Sequence, residues 1–246
     1  MVGVIGKDCI YLCADARAQM DIPIIGREYY DFPRKLSAID DKDKLWMAGV
    51  GISDAGESVY EELKKRKLSG IHQLNELETD FFRNHHGNAL KRYNLIYKGH
   101  SDLSNCMTLL FAGIDVDNKP KMCLVDSAAE YRFQWFDNEG DFVFNRIGDN
   151  VDSCLNKCLI TVSQGIKKNE NMNVLLKQLK EIFLNVARTD IGVSPLMYFV
   201  KIMEKEAKYK EFYHIKRIID KFRYNFDVLL YIKILQLHKT AGGGTR

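Results

Sequence analysis

Residues 1–19 read MVGVIGKDCIYLCADARAQ, and this stretch decides the fold. Val2, Val4 and Ile5, then Cys9, Ile10, Tyr11, Leu12 and Cys13, are two β-prone apolar runs, and Gly6-Lys7-Asp8 between them has the composition of a tight turn. The chain therefore opens on a hairpin that closes on an acid and a base, Asp15 and Arg17. The same order of strand, polar turn and strand returns at Lys35–Ile39, Asp40–Lys44 and Leu45–Val50. Four strands are expected before the first helix.

After Gly49 the period changes. Ala55, Val59, Tyr60 and Leu63 share one helix face, and Asp54 with Glu57 reads as a capping box at its start. A second helix is expected from about Leu74 to Tyr93, with Leu74, Leu77, Phe81 and Phe82 on its apolar side. A second antiparallel set follows at Met107–Asp115, Lys121–Asp126 and Tyr131–Phe136, each run bounded by turn residues. Helices at about 152–163 and 173–187 and a strand at Leu196–Ile202 complete the pattern. Strands, two helices, strands, two helices and a strand predict an α+β protein, in which two antiparallel sheets pack face to face between outer helix layers: a four-layer αββα sandwich.

The composition bounds the function. A length of 246 residues suits one large domain, and 46% hydrophobic with 28% charged residues and four prolines is the balance of a folded globular chain. The net charge of +3, from 36 basic and 33 acidic residues, is too small to attract a polyanion, so no nucleic-acid partner is expected. The start has no basic leader before an apolar block, and the longest apolar stretch, DVLLYIKILQL at 227–237, is interrupted by Lys233, so neither a signal peptide nor a membrane span is expected. The six cysteines read as reduced thiols of a cytoplasmic protein. Cys154 and Cys158 have no histidines at matching spacing, so no metal and no other cofactor is expected. From Lys208 the chain turns basic and aromatic, with a period ambiguous between strand and helix, and AGGGTR at 241–246 reads as a flexible end.

At this point the sequence resembles a proteasome-type N-terminal nucleophile hydrolase, nearer the β-type than the α-type subunits. VGVIGKDCIYLCADAR resembles that family's first hairpin, Lys35 with Ile39 its lysine strand, and Ala48-Gly49 leading into Asp54-Ala55 its oxyanion turn. FAGIDVDNKPKMCLVD at 111–126 is similar to its central hairpin, and RIGDN at 146–150 stands at its glycine-serine-glycine loop. The matches keep one order from Val2 to Ile202. The resemblance implies the N-terminal nucleophile hydrolase fold for residues 1–202, with 203–240 as an extension packing on the same domain.

The resemblance also implies a chemistry. The nucleophile in such proteins is the hydroxyl of a threonine at the first mature position, and its freed α-amine is the base. A lysine ammonium depresses the amine pKa, a carboxylate holds the lysine, and a glycine amide stabilises the oxyanion, a contribution of about 3 to 4 kcal/mol per donor. Carried over, Asp15 is the carboxylate, Lys35 the charge partner, Gly49 the oxyanion donor and Asp190 the acid that orients the amine, while Asp149 stands where the family usually has a serine. Counting back from Val2-Gly3 places the threonine about two positions before Met1. Val193-Ser194 stands where, in the family, a serine follows the acid at closer spacing.

Two functions follow as expectations. One is a threonine-type peptidase or amidohydrolase subunit whose terminus is supplied upstream or by processing. The other is a non-catalytic subunit or scaffold of the same fold. Both imply a homo-oligomeric ring, the first acting on a peptide or protein substrate, with any regulatory ATPase partner unspecified. Cys9, inside the hairpin and with no histidine beside it, reads as a core thiol, and His85-His86 as a solvated helix end.

Overall fold

The computed structural model describes residues 1–22, 26–30, 35–42, 44–96, 106–144, 160, 164, 172–189, 194, 196–204 and 207–212. Its strands are β1 (Val2–Ile5), β2 (Cys9–Asp15), β3 (Ala18–Ile22), β4 (Gly26–Tyr30), β5 (Leu36–Ala38) and β6 (Leu45–Gly51) in the first part. They continue with β7 (Met107–Ile114), β8 (Pro120–Asp126), β9 (Phe133–Phe136), β10 (Phe142–Phe144), β11 (Met197–Met203) and β12 (Ala207–Phe212). The helices are α1 (Ser53–Arg66), α2 (Thr79–Ile96) and α3 (Met172–Thr189). One compact unit spans Met1–Phe212. The basic aromatic stretch beyond it and the helix expected at 152–163 lie outside the described residues, apart from Ile160.

Two five-stranded antiparallel sheets form, in the orders β10-β1-β2-β11-β12 and β5-β6-β7-β8-β9. Alternation along each strand sorts the side chains between layers. Ile5, Ile10, Leu12 and Ala14 from the first hairpin, with Tyr198, Val200 and Ile202 of β11, meet Leu36, Trp46, Ala48, Leu110, Ala112 and Met122 of the other sheet. Gly3 lets the sheets come close: a Cβ there would stand 2.7 Å from Met122 Sδ and 2.8 Å from Leu110 Cδ2. The alternate residues Leu45, Met47, Leu109, Phe111, Cys123 and Val125 point the other way, onto Ala55, Val59 and Leu63 of α1 and Phe82 and Ala89 of α2. Each large apolar side chain buried here contributes about 1.5–3 kcal/mol. All residues of β1 and β2 are buried, so the first sheet is covered on both faces. With α3, which buries Leu179 and Val186, the architecture is the αββα sandwich expected from the element order.

Local details differ from the sequence reading. The strand preceding α1 runs straight into it, so Ile52 stands at the N-cap and no side chain caps the helix; Asp54 lies in the first turn instead, where an acid faces the positive end of the dipole. The second helix begins at Thr79, because Ile71–Glu76 form a 3-10 turn that ends at Leu77 in extended backbone. The spacing of Ile71, Leu74 and Leu77 suits three residues per turn as well as one helix face. The β3–β4 ribbon, a separate two-stranded sheet, was not expected, nor was β10.

Two glycines carry opposite expectations. Gly51 closes β6 at φ 106, and a Cβ would stand 1.9 Å from the Cys106 carbonyl oxygen. Gly51→Ala should lower unfolding stability in urea by more than about 2 kcal/mol, since a left-handed backbone alone costs about 1–2 kcal/mol for an L-residue. Gly87 sits in mid-α2 with nothing within 4 Å of a Cβ, so Gly87→Ala should raise stability by about 0.5–1 kcal/mol in the same measurement.

Candidate functional site

The hairpin ends at a carboxylate that three segments share. Asp15 closes β2 opposite Met197 of β11 and is 7% exposed. Its Oδ1 accepts a hydrogen bond from Lys35 Nζ at 2.8 Å. Its Oδ2 accepts from the backbone N–H of Arg17 at 2.9 Å and of Ser194 at 3.3 Å. The Ser194 hydroxyl accepts in turn from Leu196 N–H at 3.0 Å, which shapes the entry to β11. A buried carboxylate needs such partners, because an unpaired charge out of water is costly.

Lys35 stands one residue before β5. The pairing of Leu36 with Ala48, carried one step further, sets Lys35 opposite Gly49. Gly49 itself pairs with Leu109, and a Cβ on it would make only ordinary contact with Leu109 Cδ2 at 3.4 Å. The conformationally demanding glycine of this turn is Gly51, two residues on.

The same step from Val2 opposite Cys13 sets Met1 opposite Ala14, next to Asp15. The Met1 α-amine is buried there, and its pKa falls from 8.0 to about 6. Burial is the main cause; Asp15 draws the value up, Lys35 pushes it down, and Cys13 draws it up slightly. Burial pushes the Cys13 thiol above its usual range, against the pull of that amine. Burial also raises Cys9, whose thiol donates to Tyr11 Oη at 2.8 Å, so neither thiol is in the thiolate form that attacks.

Of the residues expected at the site, the structure brings together Asp15 and Lys35 and sets Gly49 beside Lys35; Asp149 and Asp190 lie outside the described residues. Ser194 joins them, a residue the sequence marked only by its distance from Asp190. Among the described residues no cluster of three or more His, Cys, Asp or Glu could hold a metal ion, and no helix is long and apolar enough to cross a membrane.

An αββα sandwich of two antiparallel sheets between helix layers is the fold that the resemblance to N-terminal nucleophile hydrolases implied. A family model described as Proteasome subunit matches residues 1–136 of the chain, and the chain belongs to that family. Among solved structures, it is similar to the Anbu complex from Pseudomonas aeruginosa, described as a helical assembly, with TM-score 0.64 and 13% identity over 96% of this chain and 95% of that one. It is similar also to Anbu, the ancestral beta-subunit, from Yersinia bercovieri, with TM-score 0.61 and 9% identity over 100% of this chain and 98% of that one. At such identities the likeness is one of fold. No curated protein matches the chain.

Removing the shared carboxylate strands Lys35 and two buried N–H donors at once. Asp15→Ala should lower unfolding stability in urea by about 3 kcal/mol, and Asp15→Asn, which keeps an acceptor, by less. Equal small losses below about 0.5 kcal/mol would show that the pair holds nothing in place.

Proposed function

We propose that the chain is a cytoplasmic subunit of a proteasome-like homo-oligomeric ring, and that the Asp15–Lys35 site serves threonine-type hydrolysis of peptide or amide bonds. The observation that carries this reading is the 2.8 Å Lys35–Asp15 bond at the end of the first hairpin, an ammonium placed to lower the pKa of a nearby α-amine. An α-amine whose pKa lies below 7 is mostly neutral at pH 7 and can take a proton from a hydroxyl. At this place burial is the main cause that keeps an amine neutral, with Lys35 adding like-charge repulsion against the pull of Asp15, which fixes Lys35.

The reaction then runs in two halves. The hydroxyl of a residue ahead of Val2, exposed by processing or supplied upstream, attacks the carbonyl carbon while the α-amine accepts its proton. The Gly49 amide is assigned to the oxyanion and Asp190 to orienting the amine, while Asp149 stands where the family usually has a serine. Collapse expels the leaving amine with the proton, and water releases the acyl group by the same base. The peptide or protein substrate is unspecified, as is any regulatory ATPase. Among the described residues Cys9, Cys13, Cys106 and Cys123 form no disulfide, which suits a reducing compartment.

A second reading is favoured by Asp149, which stands where the family usually has a serine: a ring subunit or scaffold without turnover. Mass spectrometry of the native N-terminal peptide, with labelling by a peptide epoxyketone, separates the two. The first reading expects Thr, Ser or Cys at the terminus and an adduct lost in Lys35→Ala. A native terminus at Met1 or Val2 with no adduct selects the second.

A further inference from the structure

Consecutive histidines tie α2 to two different neighbours. His85 Nδ1 lies 2.7 Å from the Ser58 hydroxyl of α1, and His86 Nδ1 lies 2.7 Å from the Tyr131 hydroxyl, in the turn between β8 and β9. Successive residues on an α-helix point about 100° apart, so a His-His pair can grip two sides at once. The expected solvated helix end is therefore wrong for His86, which is 2% exposed and meets the Tyr131 ring edge-on at 5.9 Å between centroids. Tyr131 is itself held at φ 62, directly after Glu130 at φ 56, a left-handed pair that persists only while its surroundings hold it.

The two imidazoles differ in what a second proton would meet. Either hydroxyl can accept from a ring N–H as well as donate to a ring nitrogen. His85 is only half-buried; its pKa is lowered by burial, with Glu62 of α1 raising it and Arg66 lowering it. His86 Nε2 is buried and has no hydrogen-bond partner among the described residues. In the neutral ring that nitrogen can be a bare lone pair, whereas the imidazolium would bury a charged N–H with no acceptor.

The charged groups around the contact offer no relief. Arg83, one turn back, lies over the Tyr131 ring at 5.8 Å and is paired with Asp80. Arg132 and Glu130 on the turn pair with each other at 3.1 Å on the exposed side. Burial alone accounts for the lowered pKa of His86.

We propose that His86 is an acid-sensitive latch: neutral, it holds α2 to the Tyr131 turn, and protonated, it leaves its site and frees that corner of the helix layer. Its contribution is complete above the ordinary histidine pKa of about 6.5 and is lost as pH falls through the lower folded value. The opening is local. Phe82, one turn earlier, stays packed on Phe111 and Phe133, at 6.1 and 5.7 Å between ring centroids.

Hydrogen exchange followed by mass spectrometry at pH 7.5 and 5.5, corrected for intrinsic rates, tests this on the full chain. Peptides over 83–92 and 127–133 should exchange several-fold faster at the lower pH, since the protonated ring favours the opened state there. His86→Gln should abolish the difference, and His85→Gln should keep it. If His86→Gln does not fold, NMR titration of the wild-type His86 ring should still find its midpoint below 6.5. Unchanged protection across the two pH values, an ordinary or raised midpoint, or a pH response surviving in His86→Gln would overturn the proposal.

Discussion

A single carboxylate sets the terms for one end of this molecule. Asp15 closes a strand whose every residue is buried, and a charge there persists only with donors around it. Those donors come from Arg17 next door, from Lys35 ahead of β5, and from Ser194 ahead of β11. One side chain thus fastens the central strand of the first sheet to the edge strand of the second and to the strand beside it. The ammonium, the amine at the start of β1 and the turn after Ala48 take their positions from that fastening.

Much of this was written locally. The order of strands, two helices, strands and two helices announced a sandwich, because continuous apolar runs such as β2, β6 and β7 need a layer on either face. Asp15 and Lys35 could be picked out because the stretches that carry them resemble the family's first hairpin and lysine strand. What escaped was either short or remote. The β3–β4 ribbon is held by its own pairing rather than by either large sheet, so no core-facing pattern marks it. Ser194 meets Asp15 across 179 residues and leaves no trace in its own neighbourhood. His86 looked polar and therefore solvated, since burial of an imidazole depends on Tyr131, 45 positions later.

The family match and the fold cover different parts of the chain. Residues 1–136 carry the family signature, reaching through β9, α1 and α2. The first sheet is nonetheless completed by β11 and β12 from beyond that span. Structures only 13% and 9% identical keep the architecture over nearly the whole length. Packing tolerates exchange of one apolar side chain for another provided pattern and volume survive, so sandwiches can drift far in sequence while a few positions keep their chemistry.

The pairing of β2 with β11 has a consequence for how the chain is made. The β1–β2 hairpin leaves the ribosome well before the strand that covers its open edge, which is translated roughly 180 residues later, a delay of about 10–40 s at common synthesis rates. Throughout that interval a strand whose every residue is buried in the finished fold has one edge of unpaired backbone groups. Biogenesis thus includes a waiting time, in which that edge stays open to pairing with other chains until β11 arrives.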